Sequence, residues 1–173
     1  SVVSLLNSKV FYVAGNHDFW MRDFLTRELD IHIYKDEFVF EEEGKKFWIY
    51  HGDGIAKADK GYRLMKKVFR YPLNIKLYSL LHPDWGIPLA KFVSHTSRKH
   101  SRERDLKDEQ DYLEYSENLL KNGYDFVILG HRHKPLEHSF QDGKKYLNLG
   151  DWIVHNSYGV YENGELKLNY FKR

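Results

Sequence analysis

At 173 residues, 42% hydrophobic and 16% aromatic, the chain has the size and apolar content of one packed domain, which excludes a disordered segment. It contains no cysteine, so disulfides and thiolate metal sites are excluded; any metal must be held by histidine, carboxylate or amide, as fits a reducing cytoplasm. The net charge is only +2, yet residues 55–102 carry 11 Lys and Arg against 2 Asp and Glu while the rest carries 16 against 23, which predicts a basic face that meets anions.

Residues 1–7 (SVVSLLN) have neither an initiating Met nor the basic start and apolar stretch of a signal peptide. The longest apolar runs are a few residues, far short of the roughly 20 that span a bilayer, so the chain is expected to be soluble. Residues 9–14 (KVFYVA) predict a short buried strand that opens into a loop at Gly15. Residues 37–43 and 45–51 predict two strands hinged at Gly44, the second delivering His51-Gly52-Asp53 at its end. From about residue 58 to 122 the pattern is helical, with Tyr62, Met65 and Phe69 on one face and Lys60, Arg63, Lys66, Lys67 and Arg70 elsewhere. Pro72, Pro83 and Pro88 are expected to break this stretch into short helices. A longer helix over 104–122 closes at Asn122-Gly123, and residues 125–129 (DFVIL) predict a fully buried strand ending at Gly130-His131-Arg132-His133. The tail, 136–173, predicts short strands turned at Asp142-Gly143 and Asn163-Gly164. Buried strands alternating with helices argue for an α/β sandwich with strand ends facing one site.

Three polar clusters follow three predicted strands: Gly15-Asn16-His17-Asp18, His51-Gly52-Asp53 and Gly130-His131-Arg132-His133. Their side chains are therefore expected to converge. Amide oxygen and imidazole nitrogen without sulfur suit Mn, Fe, Zn or Mg over soft metals. A lone His after a strand is more often an ordinary polar loop residue, so the signal lies in the three clusters together.

In this order the clusters resemble the calcineurin-like metallophosphoesterases, whose pattern runs Asp-x-His, Gly-Asp-x-x-Asp, Gly-Asn-His-Asp, a single His and Gly-His-x-His. The last three match residues 15–18, 51 and 130–133. The first two have no match, because Gly52-Asp53 and Gly150-Asp151 lack the second Asp, and Asp30-Ile31-His32 leads into a strand instead of leaving one. The resemblance implies an α/β sandwich of α/β/β/α layers, with the N-terminal strands outside this chain. It also implies that 1–173 is one partial domain carrying a helical cap insertion at about 55–107.

It further implies two divalent ions in the complete enzyme, with Mn foremost and Fe, Zn or Mg as alternatives. Asn16, His51 and His131 would ligate one ion and His133 the other. His17 would sit beside the phosphate as charge stabiliser or proton donor, with Asp18 holding its ring. Without the bridging carboxylate of the unmatched motifs, the chain alone is expected to bind one metal weakly and not to turn over.

Within the family the similarity is greatest to the bacterial hydrolases of lipid A synthesis that cleave UDP-2,3-diacylglucosamine to UMP and 2,3-diacylglucosamine 1-phosphate. It rests on Gly-Asn-His-Asp-Phe-Trp, on Asp59 and Tyr62 after His51-Gly52-Asp53, on Gly-His-Arg-His-Lys-Pro, and on Leu149-Gly150-Asp151-Trp152. His17 is a departure, since the best-known members carry Arg there. The resemblance implies that Asp59 and Tyr62 hold the glucosamine or phosphate part of the substrate, and Arg98 and Lys99 are further candidate phosphate partners. The basic, apolar stretch 62–93 suits an anionic nucleotide-lipid and an anionic inner-membrane surface from the cytoplasmic side, or else packs the cap on the body. Another phosphodiester substrate, or a non-catalytic lipid-binding module, are the alternative readings. Nucleic acid is not expected, because no stacking platform, helix-turn-helix or finger pattern occurs.

Overall fold

The computed structural model describes residues 8–18, 21, 23–99 and 105–172, the side chains of 93–99 and 105–107 excepted. The chain divides into two compact units, one formed by the described residues up to Asp53 and from Leu113 onward, the other by Gly54–Tyr112.

The first unit is organised by a five-stranded mixed sheet in the order β3-β4-β5-β7-β6. Strands β3 (Phe38–Glu42) and β4 (Lys45–Tyr50) form the expected hairpin. Glu43 and Gly44 both take positive φ, as a two-residue I′ turn demands. Strand β5 (Phe126–Leu129) runs parallel to β4 on one side and to β7 (Lys145–Asn148) on the other, and all four of its residues are buried. That placement explains an unbroken Phe-Val-Ile-Leu run, since both faces and both edges are covered. Strand β6 (Leu136–Ser139) completes the sheet antiparallel to β7. Phe47, Phe126, Ile128, Leu147 and Leu166 form the core, with Phe40, Ile49 and Tyr161 packed around it.

Two smaller sheets flank this one in the chain. Strands β8 (Ser157–Glu162) and β9 (Glu165–Tyr170) pair through a turn at Asn163-Gly164 with both residues at positive φ, as expected. Strand β1 (Phe11–Val13) pairs in parallel with β2 (His32–Tyr34), and helix α1 (Phe24–Leu29) lies between them in the chain. The expected buried strand over 9–14 is therefore corrected. Among the described residues β1 is shorter, pairs with β2 alone, and leaves Phe11 41% exposed. Asp30 caps α1 in a left-handed conformation and His32 opens β2, so Asp30-Ile31-His32 joins a helix end to a strand start.

The second unit is helical: α2 (Lys60–Phe69), α3 (Pro72–Tyr78), α4 (Pro83–Lys99) and the start of α5 (Asp105–Lys121). Pro72 and Pro83 open helices, where a missing N–H costs nothing. Pro88 does not end the helix as expected; it lies inside α4, which runs on to Lys99. Neither α2 nor α3 contains a buried residue. Leu80, Trp85 and Phe92 stand 74%, 76% and 71% exposed, and Leu64, Leu73, Leu77 and Ile87 are exposed beside Lys and Arg of the same helices. Among the described residues no helix is long and apolar enough to cross a membrane.

Helix α5 carries Tyr112, Ser116 and Leu120 buried at four-residue spacing and ends at Gly123, whose φ of 98° closes it. The next residues enter β5, whose far end is the site.

Candidate metal centre

Three loops meet where β1, β4 and β5 end. Gly15 follows β1, and its N–H donates to Asp18 Oδ2 at 2.8 Å. The Tyr12 hydroxyl donates to the same oxygen at 2.9 Å, and Asp18 N–H returns to the Gly15 carbonyl at 3.1 Å. Burial, with the Asp18 carboxylate second, pushes the Tyr12 hydroxyl up to about 12, so it stays a donor at any ordinary pH. His51 leaves β4 and packs against Gly15 so closely that a Cβ there would lie 2.9 Å from His51 Cε1. Only glycine permits that approach.

His51 Nε2 lies 2.9 Å from Asn16 Oδ1 and 3.3 Å from His131 Nδ1. The Gly130 N–H donates to the His51 carbonyl at 3.0 Å, tying the ends of β4 and β5 together. Asn148, fully buried at the end of β7, donates its amide to the Gly130 carbonyl at 2.8 Å and so braces the turn from the other side. His131 and His133 both adopt left-handed backbone, with φ of 68° and 56°. Such conformations cost about 1–3 kcal/mol each and persist where the surroundings over-determine them.

Burial, then the neighbouring His51, lower His131 to about 4; Asp53 opposes this, while His133 and His17 add to it. His131 is therefore a neutral imidazole near neutral pH, the form that binds metal.

The sequence-predicted residues divide as follows. Asn16, His51 and His131 come together. His133 does not join them: its side chain is 66% exposed, with Nδ1 3.9 Å from Asp151 Oδ2. His17 is exposed, and no hydrogen bond links it to Asp18, whose Oδ2 is taken by Tyr12 and Gly15. The expected His17–Asp18 pairing is corrected accordingly. Asp59, just before α2, and Tyr62, half-buried on it, belong to the second unit. Arg98 and Lys99 end α4, and their side chains lie outside the described residues.

Sequence reasoning missed Tyr12, Asn148 and the Asp151 turn. Asp151 Oδ1 accepts the N–H groups of Ile153, Val154 and His155 at 2.9, 2.7 and 3.2 Å, and Oδ2 faces His155 Nδ1 at 3.2 Å. These bonds hold its carboxyl well below the usual carboxylate range. Asp followed by four loop residues was the available signal.

Among the described residues no three His, Cys, Asp or Glu side chains gather into one ion-binding group. The convergent set is two imidazoles and one amide. An ion about 2.1 Å from each donor holds adjacent donors about 3.0–3.4 Å apart; the 3.3 Å separation lies in that range and the 2.9 Å one just below it. The donor chemistry suits a hard or borderline divalent ion.

Residues 2–135 match the family model described as calcineurin-like phosphoesterase. The chain belongs to this family. Calcineurin-like phosphoesterases are hydrolases that use divalent metals, and a central mixed sheet with helices agrees with their fold. A protein of Porphyromonas gingivalis named UDP-2,3-diacylglucosamine hydrolase is 34% identical, the match covering 92% of this chain and 68% of the relative. Relatives of the same name from Pseudomonas syringae and Serratia proteamaculans are 27% and 24% identical, with 84% and 85% of this chain matched to 60% and 63% of theirs. The chain thus spans about two thirds, or slightly less, of the relatives it matches.

Proposed function

We propose that this calcineurin-like phosphoesterase acts in a metal-dependent hydrolase that cleaves the pyrophosphate of UDP-2,3-diacylglucosamine into UMP and 2,3-diacylglucosamine 1-phosphate, in lipid A synthesis. The observation that carries the reading is the meeting of Asn16 Oδ1, His51 Nε2 and His131 Nδ1 within 2.9 and 3.3 Å at three loop ends. The names of the relatives support the substrate.

Asn16, His51 and His131 would hold one divalent ion, manganese foremost, and His133 would contribute to a second. Bound there, the metal supplies a Lewis acid that polarises the phosphoryl group and acidifies water. The chain's own residues supply the rest. The neutral His131 offers a lone pair without first losing a proton, and the Asn148 and Gly130 bonds keep its ring aimed. His17, exposed at the same loop, would stabilise charge on the phosphoryl group or hand a proton to the leaving oxygen as the P–O–P bridge breaks and a water oxygen joins phosphorus. Asp59, Tyr62, Arg98 and Lys99 would bind the glucosamine and phosphate parts of the substrate.

The second unit would bind the acyl chains and rest on an anionic cytoplasmic membrane face. Exposed Leu80, Trp85 and Phe92 in the same unit as exposed Lys67 and Lys91 support this, because apolar side chains together with cations suit an anionic amphiphile.

The test is a substrate panel on the full-length protein with Mn²⁺. Cleavage of UDP-2,3-diacylglucosamine, lost in His131→Ala, is the expected result. Hydrolysis of bis-p-nitrophenyl phosphate or cyclic nucleotides with the lipid untouched would replace the substrate and keep the reaction class. Undiminished turnover in His131→Ala would overturn the metal site.

A further inference from the structure

We infer that Tyr12 and Asp18 form a clamp that aims Asn16 at the metal, making both positioning residues for a ligand. The inference deepens the metal site proposed above and rests on it.

Asn16 sits inside a four-residue loop whose two ends are fastened to each other. One carboxylate oxygen, Asp18 Oδ2, accepts from the Gly15 N–H at 2.8 Å and from the Tyr12 hydroxyl at 2.9 Å, and the Asp18 N–H donates back to the Gly15 carbonyl at 3.1 Å. The Tyr12 contact anchors the loop to β1, which is itself tied through Ala14 N–H to Tyr34 of the neighbouring strand region at 2.8 Å. The loop therefore cannot rotate about β1 without breaking a bond to a charged acceptor. Asn16 Oδ1 emerges from this loop 2.9 Å from His51 Nε2.

An amide oxygen is a neutral, weak ligand and contributes affinity only when it is already in place. A carboxylate that fixes its loop acts as outer partners of metal ligands do, and loss of such a partner typically lowers metal affinity about 10–100-fold. Tyr12 suits the task because its ring is half-buried and its hydroxyl remains protonated.

The experiment uses the full-length protein and two readouts besides activity: Mn²⁺ affinity by titration calorimetry, and the visible spectrum of the Co²⁺-loaded protein. Four variants are compared: Tyr12→Phe, Asn16→Ala, Asp18→Ala and His131→Ala. Tyr12→Phe removes one oxygen and should weaken Mn²⁺ binding about tenfold. Its Co²⁺ spectrum should shift toward that of Asn16→Ala, a change that loss of overall stability does not produce. Wild-type affinity and spectrum in Tyr12→Phe, with binding lost in His131→Ala, would overturn the clamp and leave the metal site standing. Absence of metal binding in the wild type, or intact binding in His131→Ala, would overturn both. Should Tyr12→Phe not fold, Asp18→Asn keeps an acceptor oxygen and should bind near the wild-type level while Asp18→Ala loses about tenfold; equal binding by those two would overturn the clamp.

Discussion

His51 Nε2 stands 3.3 Å from His131 Nδ1, the two rings meeting edge to face at 74°. Burial, with the neighbouring His51 second, holds His131 down to about 4, which yields the first prediction. Its folded value lies below the 6.5 of the unfolded chain, so between these pH values the unfolded chain binds a proton that the folded one does not. The contribution to stability is complete above about pH 6.5 and is lost as pH falls toward 4. Thermal unfolding in EDTA from pH 7.5 to 4.5 should show Tm falling on the acid side, and His131→Gln should flatten that fall. An identical slope in the variant would show that His131 is not the group responsible.

Gly15→Ala tests the closeness of the loops. A Cβ at that position meets His51 Cε1 at 2.9 Å and Asp18 Oδ2 at 3.0 Å, so the ring or the carboxylate must move. Overpacking of this kind costs about 1–3 kcal/mol, and Mn²⁺ affinity should fall with it. Gly44→Ala is the control. Its Cβ meets nothing within 4 Å, and its φ of 73° costs stability alone. Equal metal affinity in both variants would mean that Gly15 is not needed for the approach of His51.

Asp151→Ala removes an acceptor of three backbone N–H groups and should destabilise the protein by about 2 kcal/mol at pH 7. The sign with pH is the usual carboxylate one. Its folded value is held well below 3.8, so the stabilisation is full above the unfolded value and is lost only as pH falls from there to the folded value. Urea unfolding of wild type and variant should therefore differ at pH 7, with a gap that narrows by pH 3 without closing. A gap of equal size at pH 7 and pH 3 would assign the loss to packing instead of charge.

In the second unit, replacing Leu80, Trp85 and Phe92 together with Gln should leave Tm nearly unchanged, because all three are solvent-exposed. If these side chains bind acyl groups, KM for the acylated substrate should rise at least about tenfold while hydrolysis of a small soluble phosphodiester is spared. Parallel loss on both substrates would remove the helices from substrate selection.

Much of the fold could be read from local patterns whose cause is local. Glu43-Gly44 and Asn163-Gly164 turn the chain because they tolerate positive φ, and residues 126–129 are uniformly apolar because they are central. The meeting of Asn16, His51 and His131 was legible because each follows a strand. What escaped reading depends on partners distant in sequence. Strand β1 looked buried, but burial is set by how many strands flank it, and among the described residues β2 alone does. The bond partner of Asp18 could not be read, since Tyr12 and His17 are both within reach of a short carboxylate and only the backbone path decides between them. Pro88 looked like a breaker because Pro removes a helical N–H bond, yet the residues on either side of it stay helical.

Strands β4 and β5 lie side by side and parallel, yet the whole of Gly54–Tyr112 is threaded between them in sequence. His51 and His131 are thus fixed by neighbouring strand ends, whatever the intervening crossover contains. Selection can lengthen, shorten or rewrite that crossover and leave the two imidazoles where they are. One hydrolytic machine could in this way be refitted to new cargoes across evolution, with chemistry inherited and taste acquired separately.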